Sequence, residues 1–154
     1  MIKITFVCHG NICRSPMAEY IFKDLVEKRN LTDKFEVISR ATSSEALGKD
    51  IYPPAKKQLE LHGVPFDLHR SQRIDIRTYS NSDYVVCMEE YNAISLKRYL
   101  FIRNSEKISL LLDYTDNPRD IEDPWYSNDF TTAYRDIELG CKSLLEFLIN
   151  KHNL

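Results

Sequence analysis

The residues of this chain whose types and spacing suit chemistry are concentrated near its start, in the run Phe6 to Pro16, F-V-C-H-G-N-I-C-R-S-P. An apolar strand ends in Cys8, five residues follow, and then come Arg14, Ser15 and Pro16. Successive backbone N–H groups in a short loop of this kind can turn inward and form an anion-binding nest. A helix opening directly after the loop adds the positive end of its dipole. Gly10 frees the backbone to adopt an unusual φ, and Asn11 tolerates left-handed geometry. Arg14 offers a planar fork of donors to two phosphate oxygens. Cysteines at helix N-termini beside cations have pKa values of roughly 3.5–7.5 instead of ~8.5. A thiolate held under a bound phosphate monoester is placed for in-line attack on phosphorus. A lone cysteine after a strand is more often a small buried hydrophobe. The combination with Gly10, Asn11, an arginine at the sixth position and a Ser-Pro helix start is what points to a thiolate facing a phosphate-like dianion.

The surrounding pattern says what holds this loop. Ile2, Ile4 and Phe6 alternate with Lys3 and Thr5, which is the period of a strand. Ser15 is expected to cap a helix whose first position is Pro16, where a missing N–H costs nothing. Met17, Ile21 and Leu25 then recur every four residues, carrying the helix to about Arg29. Residues 35–41 read as a second strand, 42–52 as a polar loop, and 53–61 as a helix opened by proline and closed before Gly63. Residues 62–76 read as loop with at most a short helix. Strands are expected at 83–88 and 107–112, with a helix over 89–99 between them. Residues 113–127 read as a long acidic loop. Phe130, Ala133, Tyr134, Ile137, Cys141, Leu144, Leu145 and Leu148 form an apolar stripe of helical period, predicting a last helix over 129–150. Short apolar strands alternating with helices imply an open α/β fold, a mostly four-stranded parallel sheet with helices on both faces. Ligands of such sheets sit at the carboxyl ends of the strands, where the Cys8 loop stands.

At 154 residues the chain is expected to form one domain, 1–154. Apolar residues make up 43% and charged residues 29%, as in ordinary globular proteins. The net charge of −2 argues against nucleic acid or an anionic membrane as a partner, so anion binding must be local. No apolar run approaches the ~20 residues of a membrane span. The first residues, M-I-K-I-T-F-V, read as a strand and not as a signal peptide. The four cysteines, at 8, 13, 87 and 141, have no C-x-x-C spacing. A reducing, cytoplasmic setting is therefore expected. No second Cys/His pair is spaced for zinc, so neither a metal nor a cofactor is expected. No large exposed apolar stripe calls for more than a monomer.

Phosphoryl transfer to Cys8 also needs a proton donor for the leaving group. The acidic loop offers Asp113, Asp116, Asp120, Glu122 and Asp123, and spacing alone does not choose among them. Asp123 has two chemical merits. Pro124 holds it extended, and Trp125 and Tyr126 are placed to desolvate it partly.

The run from Val7 to Glu19, V-C-H-G-N-I-C-R-S-P-M-A-E, closely resembles the signature of low-molecular-weight protein tyrosine phosphatases. Ser39-R-A-T-S43, His62-G-V-P65 with His69, Cys87-Met88 with Asn92, and the segment D-P-W-Y at 123–126 follow in that family's order. The resemblance implies that Cys8 is the nucleophile of a cysteinyl-phosphate intermediate and that Arg14 clamps the phosphate. It implies that Asp123 protonates the leaving phenolate and then activates water. His9, Gly10, Asn11, Ile12 and Cys13 would line the phosphate site, and Ser15 would hydrogen-bond the Cys8 sulfur as well as cap its helix. Asn11, Ser39 and His69 would brace the loop. Trp125 and Tyr126 would wall the aryl group of a tyrosine-phosphorylated protein or peptide. Cys13 would be able to form a reversible disulfide with Cys8. Glu45 takes a rim position where the family often has a bulky side chain, and its charge predicts a preference for basic peptides. Gln72 stands where arginine is expected, and Glu89 where aspartate is common. Rivals on the same fold are a thiol-dependent arsenate reductase and a phosphoarginine phosphatase. The first needs relay cysteines that residues 88–100 lack, and the second tends to carry threonine where this chain has Ile12. A non-catalytic phosphate-binding module is the rival from another class; it would need neither Cys8 nor Asp123.

Overall fold

The computed structural model describes residues 1–154. Four parallel strands form one sheet: β1 (Ile2–Cys8), β2 (Phe35–Ala41), β3 (Tyr84–Cys87) and β4 (Ile108–Leu110), in the order β2-β1-β3-β4. Six α-helices accompany them: α1 (Arg14–Lys28), α2 (Pro53–Leu61), α3 (Ile76–Asn81), α4 (Glu90–Leu100), α5 (Pro124–Ser127) and α6 (Phe130–His152). The open parallel sheet read from the sequence is the one observed.

The period of β1 decides where the site lies. Ile4, Phe6 and Cys8 point into the larger apolar cluster, packed with Met17, Phe22 and the α6 stripe. Val7 points the other way, to Ile74, Val85, Cys87, Ala93 and Leu96. Both faces of β1 are thus covered, which is why this strand is apolar almost throughout. It is also the strand from which the sheet grows in both directions, so its carboxyl end opens on the crevice of the topological switch point. Cys8 ends that strand on the α1 side.

Four details of the sequence reading need correction or completion. The helix after the loop starts at Arg14, two residues earlier than a Ser15 cap requires, and its cap residue is Cys13 with no side-chain bond. Ser15 is buried inside the first turn instead, because its hydroxyl is drawn to the Cys8 sulfur. The acidic loop is not loop throughout: Asp123 accepts the Trp125 N–H at 3.1 Å and so caps α5, with Pro124 in its first turn. Helix α3 follows Asp75, whose side chain caps it by accepting the Thr78 N–H at 2.7 Å. That segment has too few apolar residues to show a helical stripe. The third and fourth strands are also shorter than read, and the fourth ends at Leu110 because residues 111–114 turn into a 3-10 helix.

Candidate active site

The loop from His9 to Cys13 is held from outside by its carbonyls. Cys8 O accepts the Thr42 N–H at 2.9 Å and His9 O the Ser43 N–H at 3.1 Å. Gly10 O accepts the Ser71 hydroxyl at 2.8 Å, and Asn11 O accepts His69 Nε2–H at 2.6 Å. Ile12 O accepts the Tyr52 N–H at 2.8 Å. With every carbonyl tied outward, the N–H groups of Gly10, Ile12 and Cys13 donate to no protein atom and remain for an anion. Asn11 makes the turn with φ at 60°, in the left-handed region that asparagine tolerates. The uncapped first turn of α1 adds its own free donors.

The Cys8 sulfur sits at the centre of this loop. It receives the Asn11 N–H at 3.2 Å, the Ser15 N–H at 3.4 Å and contacts the Ser15 hydroxyl at 3.0 Å. The direction of that last bond follows from its neighbours. Gln72 N–H donates to Asn11 Oδ1 at 3.2 Å, which fixes the orientation of the Asn11 amide. Asn11 Nδ2 then donates to Ser15 Oγ at 2.8 Å and to Ser39 Oγ at 3.0 Å. At the far end Ser39 donates to the Glu19 carboxylate at 2.7 Å. Ser15 Oγ is already an acceptor, so its own proton is left for sulfur. Cys8 is therefore the acceptor of this bond. Gln72 braces Asn11 through its backbone, so glutamine in place of arginine costs this network nothing.

Arg14 is fully buried and links three segments. Its guanidinium donates to Ile121 O at 2.8 Å and to Glu89 at 3.1 Å, and lies 3.2 Å from Asp123 Oδ2. Burial pulls its pKa down, but Cys8, Asp123 and Glu89 outweigh that, and the net shift is upward. Glu89 is thus the carboxylate that orients the arginine, in the place where aspartate was expected. Asp123 is the member of the acidic loop brought to the arginine; Asp120 instead accepts the Glu90 N–H at 2.9 Å.

These groups open on a cavity of about 250 Å³ with Cys8, the loop and Arg14 at its floor. Trp125 and Tyr126 form one wall, and Trp125 leans on Tyr52 with ring centroids 4.8 Å apart. Glu45 lies at the mouth and accepts His9 Nε2–H at 2.8 Å. Of the residues named from the sequence, Cys8, His9, Gly10, Ile12, Cys13, Arg14, Glu45, Asp123, Trp125 and Tyr126 all line this one cavity. Asn11 and Ser15 lie beneath the lining. Ala46 and Lys49 also line it and were not singled out; nothing in a polar loop with glycine marks them. The Cys13 thiol is held far above its ordinary pKa by burial, then by Cys8 and Asp123, so it stays protonated beside Cys8.

Comparison with known proteins agrees with this geometry. The family model described as low molecular weight phosphotyrosine protein phosphatase matches residues 3–154. The chain belongs to that family. It is 34% identical over 147 residues to the low molecular weight protein-tyrosine-phosphatase YfkJ of Bacillus subtilis (strain 168), covering 94% of each chain. It is 35% identical over 157 residues to PtpA of Staphylococcus aureus (strain bovine RF122 / ET3-1), covering 100% of this chain and 98% of that one. The crystal structure of YfkJ superposes with a TM-score of 0.94 over 98% of this chain and 96% of that one, at 33% identity. The chain is accordingly a cysteine-dependent phosphoric monoester hydrolase that acts on phosphotyrosine. No helix is long and apolar enough to cross a membrane.

Proposed function

We propose that hydrolysis runs through Cys8, Arg14 and Asp123 in two displacements. In the first, Cys8 Sγ attacks phosphorus, the S–P bond forms, and the bond from phosphorus to the aryl oxygen breaks. Asp123 passes its proton to that oxygen, so the phenol leaves neutral. In the second, Asp123 takes a proton from water, the water oxygen attacks phosphorus, and the thiolate departs from inorganic phosphate. Arg14 and the free loop N–H groups hold the equatorial oxygens throughout, where charge is spread in the transition state. Ser15 donates to the thiolate at the start of the cycle and again as it leaves.

The observation that carries this reading is the Cys8 sulfur, a hydrogen-bond acceptor at the floor of a loop whose carbonyls all point away from it. The aromatic wall of Trp125, supported by Tyr52, favours a planar aryl phosphate. The apolar Ile12 at the site favours it over phosphoarginine. The substrates are tyrosine-phosphorylated proteins or peptides. The free Cys8, Cys13, Cys87 and Cys141 suit the cytoplasm, and the chain is taken to work as a monomer with 1–154 as one domain. The test is turnover of p-nitrophenyl phosphate with chelator present, alongside phosphotyrosyl and phosphoarginyl peptides. Activity on both aryl phosphates, lost in Cys8→Ser, is expected. Faster release from the phosphoarginyl peptide, or full activity in Cys8→Ser, would overturn the reading.

A further inference from the structure

The mouth of the cavity carries charges that the two chemical steps do not use. Glu45 and Lys49 stand on one turn, with Ala46 between them, and all three line the cavity. The carboxylates nearest in sequence are already answered. Glu45 accepts from His9 at 2.8 Å, and Asp50 from Lys56 at 2.6 Å. Lys49, between them, has no carboxylate within ion-pair distance. Its backbone is nevertheless held firmly. Lys49 N–H donates to Ala46 O at 3.0 Å, and Ser71 N–H donates to Lys49 O at 2.8 Å. Ser71 is the residue whose hydroxyl holds Gly10 O, so the turn bearing Lys49 is registered to the phosphate loop. The rim therefore carries, beside the entrance, a lysine whose backbone is fixed and whose ammonium has no carboxylate partner.

We propose that Lys49 is a specificity-determining residue that selects phosphotyrosine next to an acidic residue. The inference rests on the phosphatase reading above and deepens it. The cavity takes the aryl phosphate, so the flanking residues of a bound peptide lie across the rim. Consecutive Cα atoms are ~3.8 Å apart, and the long lysine stem spans the step from the cavity to a neighbouring carboxylate. Glu45 alone predicts the opposite preference, but its carboxylate is engaged by His9 at 2.8 Å while the ammonium of Lys49 has no partner.

The test compares kcat/KM on three phosphotyrosyl peptides with aspartate, alanine or lysine flanking the phosphotyrosine. An exposed ion pair of this kind favours the acidic peptide over the neutral one by about two- to fivefold at low salt. The ratio should fall to about one in Lys49→Ala, invert in Lys49→Glu, and shrink in the wild type as salt rises. Because each value is a ratio within one variant, a general loss of activity does not mimic the effect. An active wild type with a ratio that neither Lys49 variant moves would overturn the role of Lys49 and leave the phosphatase reading standing. A preference for the basic peptide that disappears in Glu45→Gln would do the same. A wild type inert on all three peptides would overturn both.

Discussion

Replacing Ser15 with alanine removes one donor from the Cys8 sulfur and touches nothing else that reaches the substrate. The hydroxyl lies 3.0 Å from Sγ, and its proton has no other acceptor once Asn11 Nδ2 occupies Oγ at 2.8 Å. A hydrogen bond to a charged acceptor contributes about 1.5–3 kcal/mol. Two backbone donors to sulfur remain, from Asn11 and Ser15 itself. The steps are not affected equally. In the attack, a thiolate stripped of a donor is less populated but more nucleophilic, and the two effects partly cancel. In the second displacement the thiolate is the leaving group, and the loss falls in full. That step should slow by about 10- to 150-fold. Stopped-flow release of p-nitrophenol from Ser15→Ala should therefore show a burst followed by a reduced kcat. Asn11 loses an acceptor as well, so thermal stability falls, but burst amplitude per folded enzyme is indifferent to that. A kcat within twofold of wild type, with no burst, would refute the polarity derived from Gln72, Asn11 and Glu19.

Three other outcomes follow from named contacts. Asp123→Asn should lower kcat/KM for phosphotyrosyl peptides by on the order of 10²–10⁴-fold and that for p-nitrophenyl phosphate far less, because nitrophenolate leaves without a proton and kcat/KM does not report the later water step; equal losses in kcat/KM would remove Asp123 from the acid role. Burial raises the pKa of Cys87 from 9.0 to about 12, and it raises Cys13 and Cys141 as well. Above about pH 9 the unfolded chain loses these protons while the folded one keeps them, so stability must fall as pH rises. The loss is up to about 1.4 kcal/mol per pH unit for each thiol, and urea titrations on Cys141→Ala against wild type should show the shallower alkaline fall in the variant. Gly140 lies in α6 where an added Cβ would come 2.5 Å from Leu111 Cγ in the core; overpacking of about 1–3 kcal/mol outweighs the ~1 kcal/mol gain in helix propensity, so Gly140→Ala should lower the urea midpoint, and a rise would contradict the packing.

Much of the site was legible because it is local. The strand period of β1, the loop from His9 to Cys13 and the start of α1 are contiguous, and each carries a strong signal. The outer bracing was legible only through family resemblance, since nothing in the spacing of Ser39, His69 or Asp123 joins them to Cys8. Ser15 misled because a serine before a proline reads as a cap, while its hydroxyl has a stronger claim on a buried sulfur. Asp123 hid its cap function because α5 is one turn long and has no periodicity. Lys49 was invisible for a different reason. Its importance lies in what Glu45 and Asp50 are already bonded to, and ion pairing across a turn leaves no pattern in the chain.

The account turns on a covalent bond between Cys8 and phosphorus. The direct measurement is to mix enzyme with excess aryl phosphate, quench within the first turnover and map the phosphoryl group by peptide mass spectrometry. Ser15→Ala offers the larger steady population. The account predicts a phosphoryl adduct on Cys8 in wild type, greater in Ser15→Ala and absent in Cys8→Ser. Turnover with the phosphoryl group on another residue, or with none on Cys8 in Ser15→Ala, would contradict it.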